Sequence, residues 1–166
     1  MCGRFTLRDP EKIRFNRMAR YARVPLNPTL WTPRYNIAPS QELMVVVDHQ
    51  FPTLRTMTWG LVPSWSNEPK GFINARSETL EEKPSFNESF RQRRCLIPAD
   101  GFYEWQKNGK SRQPFYFQLN DESAFMFAGI WDEWHSRSGA ARDPITSCAI
   151  ITTTANRIPF SIAMCW

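Results

Sequence analysis

Residues 96–119 read LIPADGFYEWQKNGKSRQPFYFQL, and this stretch decides the fold class. Two runs rich in aromatic residues, 101–106 and 114–119, flank the pair Asn108-Gly109. An Asn-Gly pair between such runs is a strong short-range signal for a hairpin turn. The sequence therefore predicts an antiparallel β-hairpin here, preceded by a further strand at Leu96-Ile97.

Four more runs have the composition of strands. Residues 43–47 and 53–59 are joined across Asp48-His49-Gln50, and residues 124–134 and 147–154 follow the hairpin. Sequential strands with short connections favour antiparallel pairing. The sequence predicts an α+β fold: one domain over residues 1–166, with a curved, mostly antiparallel sheet and few helices.

Helical signals are confined to two places. Asp9-Pro10 is typical of a helix start, and apolar residues at helical spacing extend this pattern over residues 10–23. Residues 85–88, Ser-Phe-Asn-Glu, match a capping box that opens a second short helix. Residues 24–39 hold four prolines and are predicted to be irregular, and residues 64–70 are predicted to form an exposed loop.

Composition narrows the class of protein. The net charge of +5 suits a polyanionic partner better than an acidic one. The four cysteines show neither paired spacing nor a ligand spacing with His49 and His135, so we expect no structural zinc, no disulfide and no cofactor. With no leader-like or membrane-spanning run, we expect a soluble, cytoplasmic monomer.

The N-terminus offers unusual chemistry. Removal of Met1 would leave Cys2 with its α-amine and thiol on neighbouring atoms. The free pKa values of these groups are about 8 and about 8.5, so both are partly deprotonated at neutral pH. Such a pair can condense with an aldehyde to a five-membered thiazolidine. The alternative is that cysteine stands at position 2 by chance.

Four further stretches mix polar residues with residues that are typical of a core. They begin at Arg34 (RYNIAP), Trp59 (WGLVPSW), Asn74 (NARSE) and Pro98 (PADGFYEW). Together with the N-terminal Cys-Gly-Arg-Phe, they closely resemble the SOS response-associated peptidase family from residue 2 to about 156. The resemblance implies a barrel-like sheet with flanking helices, and a protein that crosslinks itself to abasic sites in single-stranded DNA. It also implies association with the nucleoid on DNA damage.

The resemblance also implies catalytic roles. Cys2 would be the nucleophile, Asn74 would hold the N-terminal amine and the sugar in register, and Glu104 would shuttle protons. Each has a plainer alternative. Asn74 could be a turn amide bonded to nearby backbone, and Glu104 could lie on a solvated strand face beside Phe102 and Gln106.

DNA-binding roles follow in the same way. Arg4 and Arg76 match arginines that grip phosphates, although either could form an ordinary surface ion pair. Trp65 would stack at the edge of the DNA groove, or else fold back onto the core. Pro39 would shape the groove wall, or serve only as a turn residue.

The resemblance weakens after Asn156. The family continues there with an active-site histidine, whereas residues 157–166 read RIPFSIAMCW. We expect a truncated or frameshifted gene. Two alternatives to a covalent crosslinker follow: a non-covalent single-strand binding module, or an inactive fragment.

Overall fold

The computed structural model describes residues 3–10, 12, 32–47, 53–136 and 144–153. Its elements, in chain order, are β1 (Arg4–Leu7), β2 (Arg34–Ile37), β3 (Glu42–Val47), β4 (Thr53–Trp59), β5 (Asn74–Arg76), a 3₁₀ turn (Ser77–Thr79), α1 (Asn87–Gln92), β6 (Arg94–Ala99), β7 (Gly101–Asn108), β8 (Ser111–Phe117), β9 (Phe125–Trp134) and β10 (Ile145–Thr152). Cys2, the tail at 157–166 and most of the predicted first helix at 10–23 (residues 11 and 13–23) lie outside the described residues.

Two sheets make up the fold. One has the strand order β2-β1-β7-β8, and the other has the order β4-β3-β6-β9-β10-β5. β4 also pairs with the first half of β10, which closes five strands into a ring, while β5 pairs with the second half. The two β10 contacts with β4 and β5 are parallel and the other described pairings are antiparallel. The predicted curved, barrel-like and mostly antiparallel sheet is confirmed.

The core lies on two sides of the larger sheet. The main cluster combines Phe5 and Ile37 from the four-stranded sheet with Trp59, Cys148 and others from the barrel. A second cluster, beneath α1, contains Leu61, Ala75, Leu80, Phe86, Ile130 and Ala149. Residues alternate between the two clusters along β10, as the two-residue period of a strand requires. Both faces of β10 are therefore covered.

Three sequence predictions need correction. The segment 24–39 is not irregular throughout, because Arg34–Ile37 forms β2 against β1, with Ile37 opposite Phe5. The short helix begins at Asn87 without a side-chain cap, since the amides of Phe86 and Asn87 donate to the Lys83 carbonyl in a preceding turn. The hairpin is confirmed, but Asn108 pairs with Ser111, so the turn residues are Gly109 and Lys110.

Candidate functional site

β1 pairs with β7 immediately before Glu104. Arg4 is paired with Tyr103, Phe5 with Phe102 and Thr6 with Gly101 in an antiparallel register. Continuing this register by one residue places Gly3 next to Glu104. Cys2 lies outside the described residues, but it is joined to Gly3 by one peptide bond.

Asp100 holds β1 in this register. Its carboxylate is 1% exposed and accepts hydrogen bonds from the Thr6 hydroxyl at 2.6 Å and from the amides of Arg8 and Asp9 at 2.6 and 3.0 Å. Arg8 Nε lies 3.5 Å from the same carboxylate. A buried carboxylate with so many donors fixes the corner between β6 and β7 to the end of β1. Sequence reasoning missed this role, although the polar residue between Ala99 and Gly101 was a signal.

Tyr116 adds a further hydrogen bond to those around Asp100, and its ring passes over Gly101. The Tyr116 hydroxyl lies 2.9 Å from Thr6 Oγ1 and donates to it, because the single Thr6 proton already goes to Asp100. Burial raises the pKa of Tyr116, which keeps this phenol a donor. A Cβ at position 101 would lie 1.9 Å from the Tyr116 hydroxyl, so the ring requires glycine there.

Glu104 lies on the core side of the four-stranded sheet. It is two residues from Phe102, so both side chains share a face. That face is inward, since Phe102 stacks on Phe117 at 5.3 Å and contacts Phe127 at 6.0 Å. Glu104 itself is half-buried, so the alternative of a solvated face describes it only in part.

Asn74 and Arg76 share β5. Asn74 is paired with the buried Ile150, and Arg76 is paired with the buried Thr152. Both side chains therefore lie on the side of the sheet that Ile150 takes in the main core, while Ala75 between them faces the cluster under α1. Asn74 is half-buried and lies in a strand, so its interpretation as a turn amide is wrong. The Arg76 side chain is exposed.

Two rings link β5 to β1. The Trp59 indole donates to the Ile73 carbonyl at 2.8 Å, immediately before Asn74. Trp59 also packs edge-on against Phe5 at 5.2 Å. Asn74 and Glu104 thus project from inward-facing positions of different sheets that pack on one core.

Arg4 occupies the opposite face of β1. Directly paired residues share a face, so Arg4 lies with Tyr103 on the outer side, away from Glu104. Arg4 Nη1 donates to Asn36 Oδ1 at 2.8 Å. The arginine is therefore positioned for a ligand that passes over the outside of the sheet.

Trp65 is exposed to solvent on a loop that hydrogen bonds hold in place. Its side chain is 56% exposed, so it does not fold back onto the core. The Ser64 amide donates to Asp132 at 2.8 Å, and the Trp134 indole donates to the Ser66 carbonyl at 2.8 Å. Arg93 Nε lies 3.2 Å from the same Asp132 carboxylate. An exposed indole on an anchored loop suits stacking on a base or sugar.

Pro39 is the second residue of a tight turn between β2 and β3. The Gln41 amide donates to the Ala38 carbonyl at 3.3 Å, and Ser40 has a φ of 68°. Proline followed by a residue of positive φ is typical of a type II turn. The Ser40 amide donates to the Trp59 carbonyl at 2.8 Å, which fastens the turn to β4.

A cavity of about 760 Å³ lies beside the Pro39 turn. Its lining includes Ser40, Trp59, Gly60 and Ile73, so it connects the turn with the residue before Asn74. Gly71 also lines it, and a Cβ there would lie 2.3 Å from the Gly60 carbonyl oxygen. The two glycine backbones therefore approach closely at the wall of this cavity.

The described cysteines are poor nucleophiles. Cys95 and Cys148 are free and buried, and burial raises the pKa of Cys148 to about 12 and that of Cys95 well above its usual value. The thiolate is the reactive form, so neither is suited to attack a ligand. Within the described ranges, no group of three or more His, Cys, Asp or Glu residues could hold a metal ion, and no helix there is long and apolar enough to span a membrane.

The chain belongs to the SOS response associated peptidase (SRAP) family, and the family model matches residues 1–162. The abasic site processing protein YoqW of Bacillus subtilis is 38% identical over 165 residues, covering 95% of this chain and 70% of YoqW. The mouse abasic site processing protein HMCES is 31% identical over 172 residues, covering 81% of this chain and 48% of HMCES.

Solved structures agree with the fold. A Bacteroides thetaiotaomicron protein superimposes with a TM-score of 0.76 at 25% identity, covering 92% of this chain and 68% of that one. A phage-related protein of Bordetella bronchiseptica gives a TM-score of 0.64 at 29% identity, covering 92% and 69%. The family's fold is thus present across the described strands.

Proposed function

We propose that this protein processes abasic sites in DNA by forming a covalent crosslink through Cys2. Two observations support the proposal. The relatives YoqW and HMCES are named abasic site processing proteins. The register of β1 on β7, continued by one residue, brings Gly3 alongside Glu104, and this is the observation that carries the proposal.

The chemistry begins with removal of Met1, which frees the Cys2 amine. In this proposal, that removal is the peptide cleavage to which the family name refers, although an aminopeptidase could also perform it. The amine adds to the C1′ aldehyde of the ring-opened sugar and releases water, giving an imine. The thiol then adds to the imine carbon, forming a C–S bond while the nitrogen takes a proton. Glu104 carries protons during sugar opening and imine formation.

The other site residues position the DNA. The Asn74 amide faces the core side on which Glu104 also lies, so it would orient the amine and the sugar. Arg4 and Arg76 would bind phosphates, and Trp65 would stack where a single strand leaves the duplex. Pro39 would form the wall of the groove beside the cavity. Single strands and junctions are therefore the proposed substrates.

A denaturing gel with abasic single-stranded DNA tests the proposal, because only a covalent product survives denaturation. Wild-type protein should give a shifted band, Cys2→Ser should give none, and Glu104→Gln should react about 10²–10⁴-fold more slowly. Binding without any shifted band would favour the alternative of a non-covalent single-strand binding module. Circular dichroism identifies a chain that does not fold.

A further inference from the structure

The end of the β7–β8 hairpin projects beyond the four-stranded sheet. β1 contacts β7 at Gly101 to Tyr103. In the described part of the chain, residues 104–108 of β7 then pair with β8 alone, as far as Asn108 opposite Ser111. We call residues 104–115 the hairpin arm. The arm begins at Glu104 and extends away from it.

The arm is basic. Lys107, Lys110 and Arg112 are all exposed, and no acidic residue occurs between Glu104 and Asp121. Lys107 lies directly opposite Arg112 in the hairpin register. Like charges at directly opposed positions destabilise a hairpin, so this pair works against the stability of the isolated arm. An anion that lies between the two cations would remove the repulsion.

Aromatic side chains accompany the charges. Trp105, Lys107 and Arg112 share the outer face of the arm, because Arg112 is paired with Lys107 and Trp105 is two residues away. Trp105 is 39% exposed and lies 6.3 Å from the ring of Tyr103, which is paired with Arg4. One continuous aromatic and basic face therefore runs from Arg4 to the tip of the arm.

We propose that the hairpin arm binds the DNA backbone next to the lesion, with Lys107, Lys110 and Arg112 on phosphates. This inference rests on the proposed function, since it names a second contact region for the same DNA. Glu104 to Asn108 spans about 14 Å at about 3.4 Å per strand residue. That length is enough for more than one phosphate, since each strand of B-DNA carries one per about 3.4 Å of helix axis. Proteins that bind single-stranded nucleic acid typically combine positively charged side chains with exposed aromatic rings.

The test compares two variants that each remove three positive charges. The arm variant is Lys107→Gln, Lys110→Gln, Arg112→Gln, and the control is Arg55→Gln, Arg91→Gln, Arg94→Gln, all exposed positions outside the arm. Binding to single-stranded DNA with a tetrahydrofuran abasic analogue, which has no aldehyde, is measured by fluorescence anisotropy between 50 and 200 mM salt.

The arm variant should lose about 2 from the slope of log K against log salt, at about 0.7 per phosphate contact, and the control should keep the wild-type slope. A charge-preserving variant, Lys107→Arg, Lys110→Arg, Arg112→Lys, should also keep it. The difference in slope between wild type and the arm variant should disappear when the DNA retains only two nucleotides on either side of the analogue.

Equal slopes for wild type and arm variant, or equal losses in the arm and control variants, would overturn the inference. Crosslinking by the wild type to aldehyde-bearing abasic DNA is scored separately on a denaturing gel. If the wild type binds the analogue through the arm but never crosslinks, the proposed crosslinking is contradicted, whereas the inference that the arm binds DNA is supported. Thermal melts of the three variants confirm that each one is folded.

Discussion

Arg4 on β1 and Tyr103 on β7 are direct register partners in an antiparallel pair. The pairing sends their side chains to the outer face of the sheet, while Phe5 and Glu104 take the inner face. Continued by one residue, the same register brings Gly3 alongside Glu104. A shift of one residue would exchange the two faces and separate these groups.

Loss of the Asp100 carboxylate should release β1. Asp100→Ala removes the acceptor for the Thr6 hydroxyl and two amides and leaves Arg8 without its buried partner. We expect the free energy of unfolding to fall by about 3–5 kcal/mol, the usual result of breaking a buried charged network. Urea unfolding measures this. The matched control is Glu82→Ala, an exposed carboxylate, which should change stability by less than about 0.5 kcal/mol.

Gly101 should not tolerate alanine while Tyr116 is present. The added Cβ would lie 1.9 Å from the Tyr116 hydroxyl, and the ring has to move. We expect Gly101→Ala to cost about 1–3 kcal/mol. In the Tyr116→Ala background the same change should cost much less, so a double-mutant cycle should show strong coupling. Additive costs would indicate that the glycine serves some other purpose.

Trp65 should matter for binding and not for folding. Its side chain is 56% exposed on a loop that other residues hold in place. Trp65→Ala should leave the melting temperature nearly unchanged and weaken binding to abasic single-stranded DNA by about 1–3 kcal/mol. The control is Trp134→Phe, which removes the hydrogen bond to Ser66 and should lower stability. A marked loss of stability in Trp65→Ala would count against this assignment.

Stability should fall at alkaline pH in part because of Cys148. Burial raises its pKa to about 12 in the folded chain, against about 8.5 when unfolded. The folded state therefore holds the proton more tightly, and this contribution is complete below pH 8.5 and declines as the pH rises toward 12. Comparison of urea unfolding at pH 7 and pH 10 should show a smaller decline for Cys148→Val than for wild type. Parallel declines would show that the thiol is not involved.

Much of the fold was predictable from local patterns. Alternating or branched runs identified β3, β4 and β9, and Asn108-Gly109 identified the hairpin to within one residue. β1 and β2 were missed because each has four residues and depends on its partner strands more than on its own composition. The capping box at residue 85 failed because a turn through Lys83 already satisfies the first amides.

The candidate site was predictable only in part. Family resemblance identified Asn74, Glu104 and Trp65, but no pattern could show that the first two face one core from different sheets. The role of Asp100 was hidden for the same reason. Its partners lie more than ninety residues away in sequence, and only the folded register brings them together.

The most direct test of the proposed function is to map the crosslink. Wild-type protein is incubated with abasic single-stranded DNA, the DNA is trimmed with nuclease, and the peptides are analysed by mass spectrometry. We expect a single adduct on an N-terminal peptide that begins at Cys2 and lacks Met1. An adduct on a lysine, or a stable adduct on protein that retains Met1, would contradict it.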